Sequence, residues 1–219
     1  MTEQTHRLLI GSCGWQHEDW QDSYYPADLP PDWRLGYYSN EFPLAVITER
    51  ERTLERDIPA EMEACREDLW VLVTVPNDAG LESAVGLLQQ LPRQGGILLP
   101  LDPTAHSDPE AWLAQIETRL NGYPLCVDPC RLLDGAWRDA LRARSIGWSW
   151  NPHSDTDGLA LGPLAVIRPG DDCSPRQIRD YLQAGLAVSS STRNVALVLD
   201  GQPPDVETLR QAKQIEELL

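Results

Sequence analysis

Three aspartates, Asp102 in LLPLDP, Asp128 in PLCVDP and Asp200 in LVLDG, each end a short apolar run. Carboxylates gathered at neighbouring strand ends can ligate a divalent cation or exchange protons with a bound substrate. Their local role competes with this, because Asp-Pro and Asp-Gly are strong turn dipeptides whose side chains cap the following backbone. For a three-carboxylate metal site the local role is the better reading, and no metal ligand is assigned. Cys13, directly before Gly14, is the one thiol positioned like a nucleophile, but a small residue in a tight turn explains it as well. His17 in WQHEDW could shuttle protons beside Glu18 and Asp19, although a solvated loop histidine fits the polar context better. Trp148 and Trp150 in SIGWSWNP share one face of a strand and suggest a stacking platform, for which core packing is the stronger alternative.

Two metal-like patterns fail on spacing. HSDTDG, beginning at His153, has a histidine at the first calcium-ligand position and Leu164 where a bidentate glutamate belongs. CVDPC places three residues between Cys126 and Cys130, with no second cysteine pair or histidine cluster nearby. The five cysteines therefore read as buried or half-buried free thiols of a reducing compartment.

Charge and composition prune the chemistry further. Eighteen basic residues stand against thirty-four acidic ones, a formal net charge of −16. Such a field repels phosphate backbones and anionic lipid, so neither nucleic acid nor a membrane surface is an expected partner, and a well-solvated acidic surface is the simplest reading of the charge. Lys213 is the only lysine, in the closing TLRQAKQIEELL, which excludes Schiff-base aldolases, pyridoxal phosphate enzymes and P-loop hydrolases. No apolar run resembles a signal peptide or spans a bilayer, and the expected location is cytoplasmic. The residues specify neither a cofactor nor an oligomeric state.

The elements that must position these groups are legible as alternation. Strand-like runs occur at RLLIGS, LAVIT, WVLVTVP, GGILLPLD, PLCVDP, IGWSWNP, LAVIRPG and NVALVLDG. Most are continuously apolar, as strands covered on both faces of a parallel sheet require. Helical segments lie between them: PPDWRLGYYSNEF; ERTLERDIPAEMEACREDL, broken or restarted at Pro59; LESAVGLLQQL; DPEAWLAQIETRLNG, capped by Asp108 and stopped by Gly122; GAWRDALRARS; SPRQIRDYLQAGLA, with a Ser174/Gln177 capping box; and DVETLRQAKQIEELL. Only HSDTDGLALGP lacks a helix. Eight such units close most simply into a (β/α)8 TIM barrel, a single domain over residues 1–219. An open doubly wound sheet is disfavoured because GSCGW lacks the dinucleotide-binding glycine pattern.

The opening IGSCGWQHEDWQDSYYPADLPPDWRLGYYSNEFPLAVI resembles that of the YecE-like family, TIM-barrel domains of unknown function (DUF72 type). Gly11, Gly14, Trp15, Trp20, Tyr25, Pro26 and Phe42 match the family's pattern in order. The resemblance implies a trimmed barrel whose site lies at the carboxyl-end mouth, with Asp128 where the family has a strand-five glutamate and Arg168 matching a strand-seven arginine. It also implies losses: Val46, Ile47 and Thr48 replace a polar stretch, Thr74 a lysine, Pro100 a glutamine, and Asp200 and Gly201 paired asparagines. On this basis Asp128 is the expected acid/base and Arg168 the expected anion clamp, with a structural ion pair between the two, bridging strand ends inside the mouth, an equally weighted alternative; Asp200 is a further expected ligand contact and Trp15 and Trp20 are expected walls. Two functions follow: an enzyme or enzyme-derived pocket for a small anionic or polar metabolite, or a non-catalytic binding protein that has lost the polar pocket.

Overall fold

In the computed structural model, residues 8–54, 56–92, 94–170, 173–190 and 192–219 are described. Eight parallel strands among them form one sheet in the order β6-β5-β4-β3-β2-β1-β8-β7. They are β1 Leu9–Cys13, β2 Leu44–Ile47, β3 Trp70–Thr74, β4 Gly95–Leu101, β5 Leu125–Pro129, β6 Gly147–Trp148, β7 Leu164–Ile167 and β8 Asn194–Leu199. The two end strands meet through a parallel bridge between Trp150 and Ile167. There Trp150 N donates to Val166 O at 2.9 Å and Arg168 N donates to Trp150 O at 2.8 Å. The sheet is thus a nearly closed (β/α)8 barrel, as the alternation predicts.

Two apolar layers hold it. Leu44, Val46, Leu72, Leu98, Cys126, Val166 and Val198 point inward and pack across the barrel axis. Their strand neighbours, such as Ala45, Ile47, Val71, Val73, Ile97 and Leu99, point outward into a larger core under the helices. Period-two alternation therefore survives inside runs that look uniformly apolar, because both faces of each strand are buried.

The outer layer comprises α1 Arg34–Ser39, α2 Glu49–Thr53, α3 Ile58–Glu63, α4 Leu81–Gln90, α5 Pro109–Arg119, α6 Gly135–Ala143, α7 Pro175–Val188 and α8 Val206–Glu217. Pro59 does start a second helix: Asp57 caps α3 by accepting from Ala60 N at 3.1 Å. Asp108 caps α5, and the chain leaves it through Asn121 and Gly122, both with positive φ. The Ser174/Gln177 capping box opens α7. Between β6 and β7 a short 3-10 helix, Thr156–Ala160, replaces a full α-helix. Asp155 caps it, accepts from Trp148 Nε1 and pairs with Arg138, so HSDTDG is a structural turn.

Candidate site at the carboxyl-end mouth

The strands run in parallel, so their carboxyl ends open on one face, where barrel loops can converge on a ligand. A cavity of about 300 Å³ lies there. Its wall includes Thr48 beyond β2, Thr74 of β3, Pro100 of β4, Asp128 of β5, Arg168 beyond β7 and Asp200 beyond β8. These are the positions at which the sequence departs from or retains the resembled family's polar residues. A second cavity, of about 350 Å³, shares Pro100, Asp128, Arg168 and Asp200 and continues to Cys130, Asn151 and His153.

Between the two cavities Arg168 bridges two carboxylates, one terminal nitrogen donating to Asp128 and the other to Asp200. Burial alone would lower the Arg168 pKa, but the charges of Asp128 and Asp200 outweigh it and raise it. Asp128 is the better enclosed carboxylate. Its other oxygen accepts from Ser149 Oγ and from Asn151 Nδ2 at 2.8 Å, and its side chain is 10% exposed. The Asp200 side chain is 35% exposed, which leaves it facing the cavity. Ser149 and Asn151 alternate with Trp148 and Trp150, so the strand that buries its indoles outward turns two hydrogen-bond donors inward. Trp148 is buried and Trp150 packs on Tyr181 with centroids 4.5 Å apart, consistent with core packing.

The first βα connection forms the opposite wall. Gly14, at φ +73°, continues the β1/β2 ladder through its N donating to Val46 O at 3.0 Å, then turns the chain across the start of α2. The positive φ favours glycine at the turn, and a Cβ there would sit 2.5 Å from Glu51 Oε1 and push that carboxylate aside. Glu51 is 2% exposed, lines the cavity and completes a capping box with Thr48. Sequence reading missed it, although Thr48-x-x-Glu51 is a recognisable N-terminal signature.

Cys13 and His17 also line the cavity. Burial, then the neighbouring Asp200, raises the Cys13 pKa, so the thiol is held protonated and unreactive. His17 is not the solvated loop residue expected. It is 8% exposed, its Nε2 lies 3.0 Å from Cys13 O, and its ring packs on Trp20 at 4.5 Å. Burial lowers its pKa and the Cys13 carbonyl partly opposes this. Cys130, expected to be at least half buried, is exposed at the rim of the second cavity.

Trp15 and Trp20, expected as walls, lie behind the site instead. Both are buried and neither lines the cavity. Trp20 stacks on Tyr38 at 6.2 Å, tilts against Tyr25 and donates Nε1 to Pro204 O at 3.0 Å, tying the first loop to the segment after β8. Tyr25 Oη donates to Trp15 O at 2.7 Å. The rings brace the loop that carries His17 because an apolar ring buried against neighbours stabilises more than one left in an open mouth. Asp102 also lies elsewhere: it accepts from Thr104 N and Oγ1 and pairs with Arg131 at 3.4 Å. Among the described residues no group of three or more His, Cys, Asp or Glu is placed to hold a metal ion, and no helix is long and apolar enough to cross a membrane.

No protein-family model and no curated protein matches the chain. Among solved structures it is similar to a DUF72 family protein from Enterococcus faecalis V583, with 12% sequence identity, a TM-score of 0.64 and 97% of each chain covered. A looser likeness, with a TM-score of 0.43 and 8% identity over 97% of this chain and 100% of the other, is to N-(5'-phosphoribosyl)anthranilate isomerase from Pyrococcus furiosus. The first comparison shows a barrel shared over its full length. The second is too loose to bear on the site.

Proposed function

We propose that this DUF72-like barrel binds a small polar molecule at its carboxyl-end mouth and that a strand-end carboxylate exchanges a proton with it. The observation that carries this reading is the cavity of about 300 Å³ in which Asp128, Arg168 and Asp200 meet. An anionic ligand is the less supported half of the original expectation, because both terminal nitrogens of Arg168 are already engaged by carboxylates. Asp128 fits a positioning role, since Ser149, Asn151 and Arg168 occupy its acceptors. Asp200, more exposed although it faces both Arg168 and the Cys13 thiol, is the carboxylate better suited to touch a ligand.

A second reading, a binding protein without catalysis, draws on Thr74 and Pro100, which put neither an ammonium nor an amide where the resembled family has a lysine and a glutamine. Thermal-shift screening against small polar metabolites of each charge class, on the wild type and on Asp200→Asn, tests the proposal. Stabilisation of the wild type that falls at least about tenfold in apparent affinity in the variant is expected. A wild type stabilised by nothing, or stabilisation indifferent to Asp200→Asn, would overturn it. Recovery of the bound compound unchanged after long incubation would favour the second reading.

A further inference from the structure

The rings of the first βα connection are drawn inward, with one exception. Trp15, Trp20 and Tyr25 are buried, whereas Trp33 is 64% exposed and its indole makes no ring contact or hydrogen bond with a described residue. A lone exposed ring needs no explanation, but a ring held rigidly at the edge of a groove does. Trp33 closes a 3-10 turn, Pro31–Trp33, that leads into α1, and its N donates to Pro30 O at 3.0 Å. Two side chains pin that turn. Gln16, 6% exposed, donates Nε2 to Pro31 O at 2.9 Å, and Arg56 donates Nη2 to the same oxygen at 2.8 Å. Pro30 and Pro31 fix their own φ angles, so a stiff backbone presents the indole to solvent.

Between this turn and α3 lies a groove of about 560 Å³, which shares no lining residue with either cavity of the mouth. Pro31 and Trp33 give it an apolar side, and Ala60 and Ala64, one helical turn apart, keep it open. Its charges do not balance. Arg56 is bound through two nitrogens to Glu61, which neutralises that cation. Asp32 is exposed and makes no hydrogen bond or ion pair with a described residue, while exposed Asp57 is engaged by the start of α3 through Ala60 N at 3.1 Å. Glu61 registers the excess: burial raises its pKa, Arg56 opposes this, and the charges of Asp32 and Asp57 add to the rise. Among the described residues of the wall, three carboxylates thus face one guanidinium.

We propose that this groove docks an arginine-bearing segment of a partner protein, with the guanidinium stacked on Trp33 and paired with Asp32. Charge complementarity selects the occupant. Arginine stacks on an indole face and forks onto a carboxylate, and the groove offers both beside each other. A second copy of this chain fits less well, because each copy carries −16 and repels the other. Nucleic acid and anionic lipid are opposed by the same field. The pinned turn lowers the ordering cost of docking, and tryptophan and arginine are the side chains on which interfaces concentrate their binding energy.

Capped hexapeptides alternating proline with arginine, glutamine or glutamate stay extended and differ mainly in charge, and calorimetric titration of each into the full chain tests the proposal. The arginine peptide is expected to bind the wild type at least about tenfold more tightly than the glutamine peptide, with the glutamate peptide weakest. Its affinity should fall at least about tenfold in Trp33→Ala and about threefold in Asp32→Asn. Asp180→Asn, at an exposed carboxylate of α7 outside the groove, removes the same charge from the overall field and should change binding less than about twofold. An arginine peptide that does not bind, binds no better than the glutamine peptide, or is indifferent to Trp33→Ala overturns the proposal. So does Asp180→Asn weakening binding as much as Asp32→Asn, which would mean attraction by net charge alone. Wild-type self-association in sedimentation that Trp33→Ala abolishes would assign the face to a second copy and overturn it as well. If Trp33→Ala fails to fold, the comparison of Asp32→Asn with Asp180→Asn decides.

Discussion

Arg168 is the residue on which the mouth depends, because among the described residues it alone joins the ends of β5, β7 and β8 through charge. Replacing it with alanine leaves Asp128 enclosed and unpaired, and the expected cost is about 3 kcal/mol, toward the lower end for a broken buried pair because the arginine is a quarter exposed. Asp200→Asn, at the exposed end of the same chain of charges, should cost less than about 1 kcal/mol. Denaturant midpoints of the two variants check the ordering. His17 gives a pH signature. Its folded pKa lies below the ordinary 6.5, so the unfolded state takes up the proton more readily. Its contribution is fully present above pH about 6.5 and is lost as the pH falls toward the depressed folded value. Thermal melts should therefore show a smaller loss of stability between about pH 7 and pH 5 in His17→Gln than in the wild type. Asp128, Arg168 and Asp200 were legible as strand-end residues, whereas Trp15 and Trp20 were misjudged as walls. A run of rings near a loop gives no indication of which side of the loop they face, and apolar burial drew them inward.

At the scale of elements, the first βα connection and α2 form one device. Gly14 turns the chain, Glu51 packs beneath it, and Thr48 caps the helix that holds Glu51 in place. Gly14→Ala should destabilise by about 1–2 kcal/mol from the left-handed backbone alone. Because its Cβ would also displace Glu51, it should weaken ligand binding at the mouth. Ala at exposed Gly135, where a Cβ meets nothing within 4 Å, serves as the control in parallel denaturation and binding measurements. Two helix starts were legible, since Asp108 and Ser174 cap through their own side chains as expected, while Asp57, Asp134 and Asp205 cap in the same way without having been singled out. The weakest strand was β6, two residues long, whose continuation through Trp150 exists only as a bridge to β7. Its SIGWSWNP pattern predicts a longer strand because propensity does not register where a ladder is interrupted.

For the whole molecule, a net charge of −16 means that acidic groups outnumber the partners available to them. Self-repulsion should dominate over the surface ion pairs, so the melting temperature is expected to rise between about 10 mM and 500 mM sodium chloride as the screening length shortens. A fall over that range would show that pairs such as Arg119–Glu82 and Arg66–Asp68 contribute more than the repulsion. The sequence by itself determined the architecture: eight apolar runs alternating with capped amphipathic segments can bury both faces of a parallel sheet in few ways, and a barrel is one that leaves no edge. It also determined the chemistries that a chain with a single lysine excludes. Only the tertiary structure decided which carboxylates share a space. Asp102, Asp128 and Asp200 look alike along the chain, yet register and strand order send the first out to Thr104 and Arg131 and bring the other two onto one guanidinium. Glu51 joined them because a helix start fell beside Gly14 across the mouth. Long-range proximity of this kind follows from strand order and packing, which local pattern does not encode.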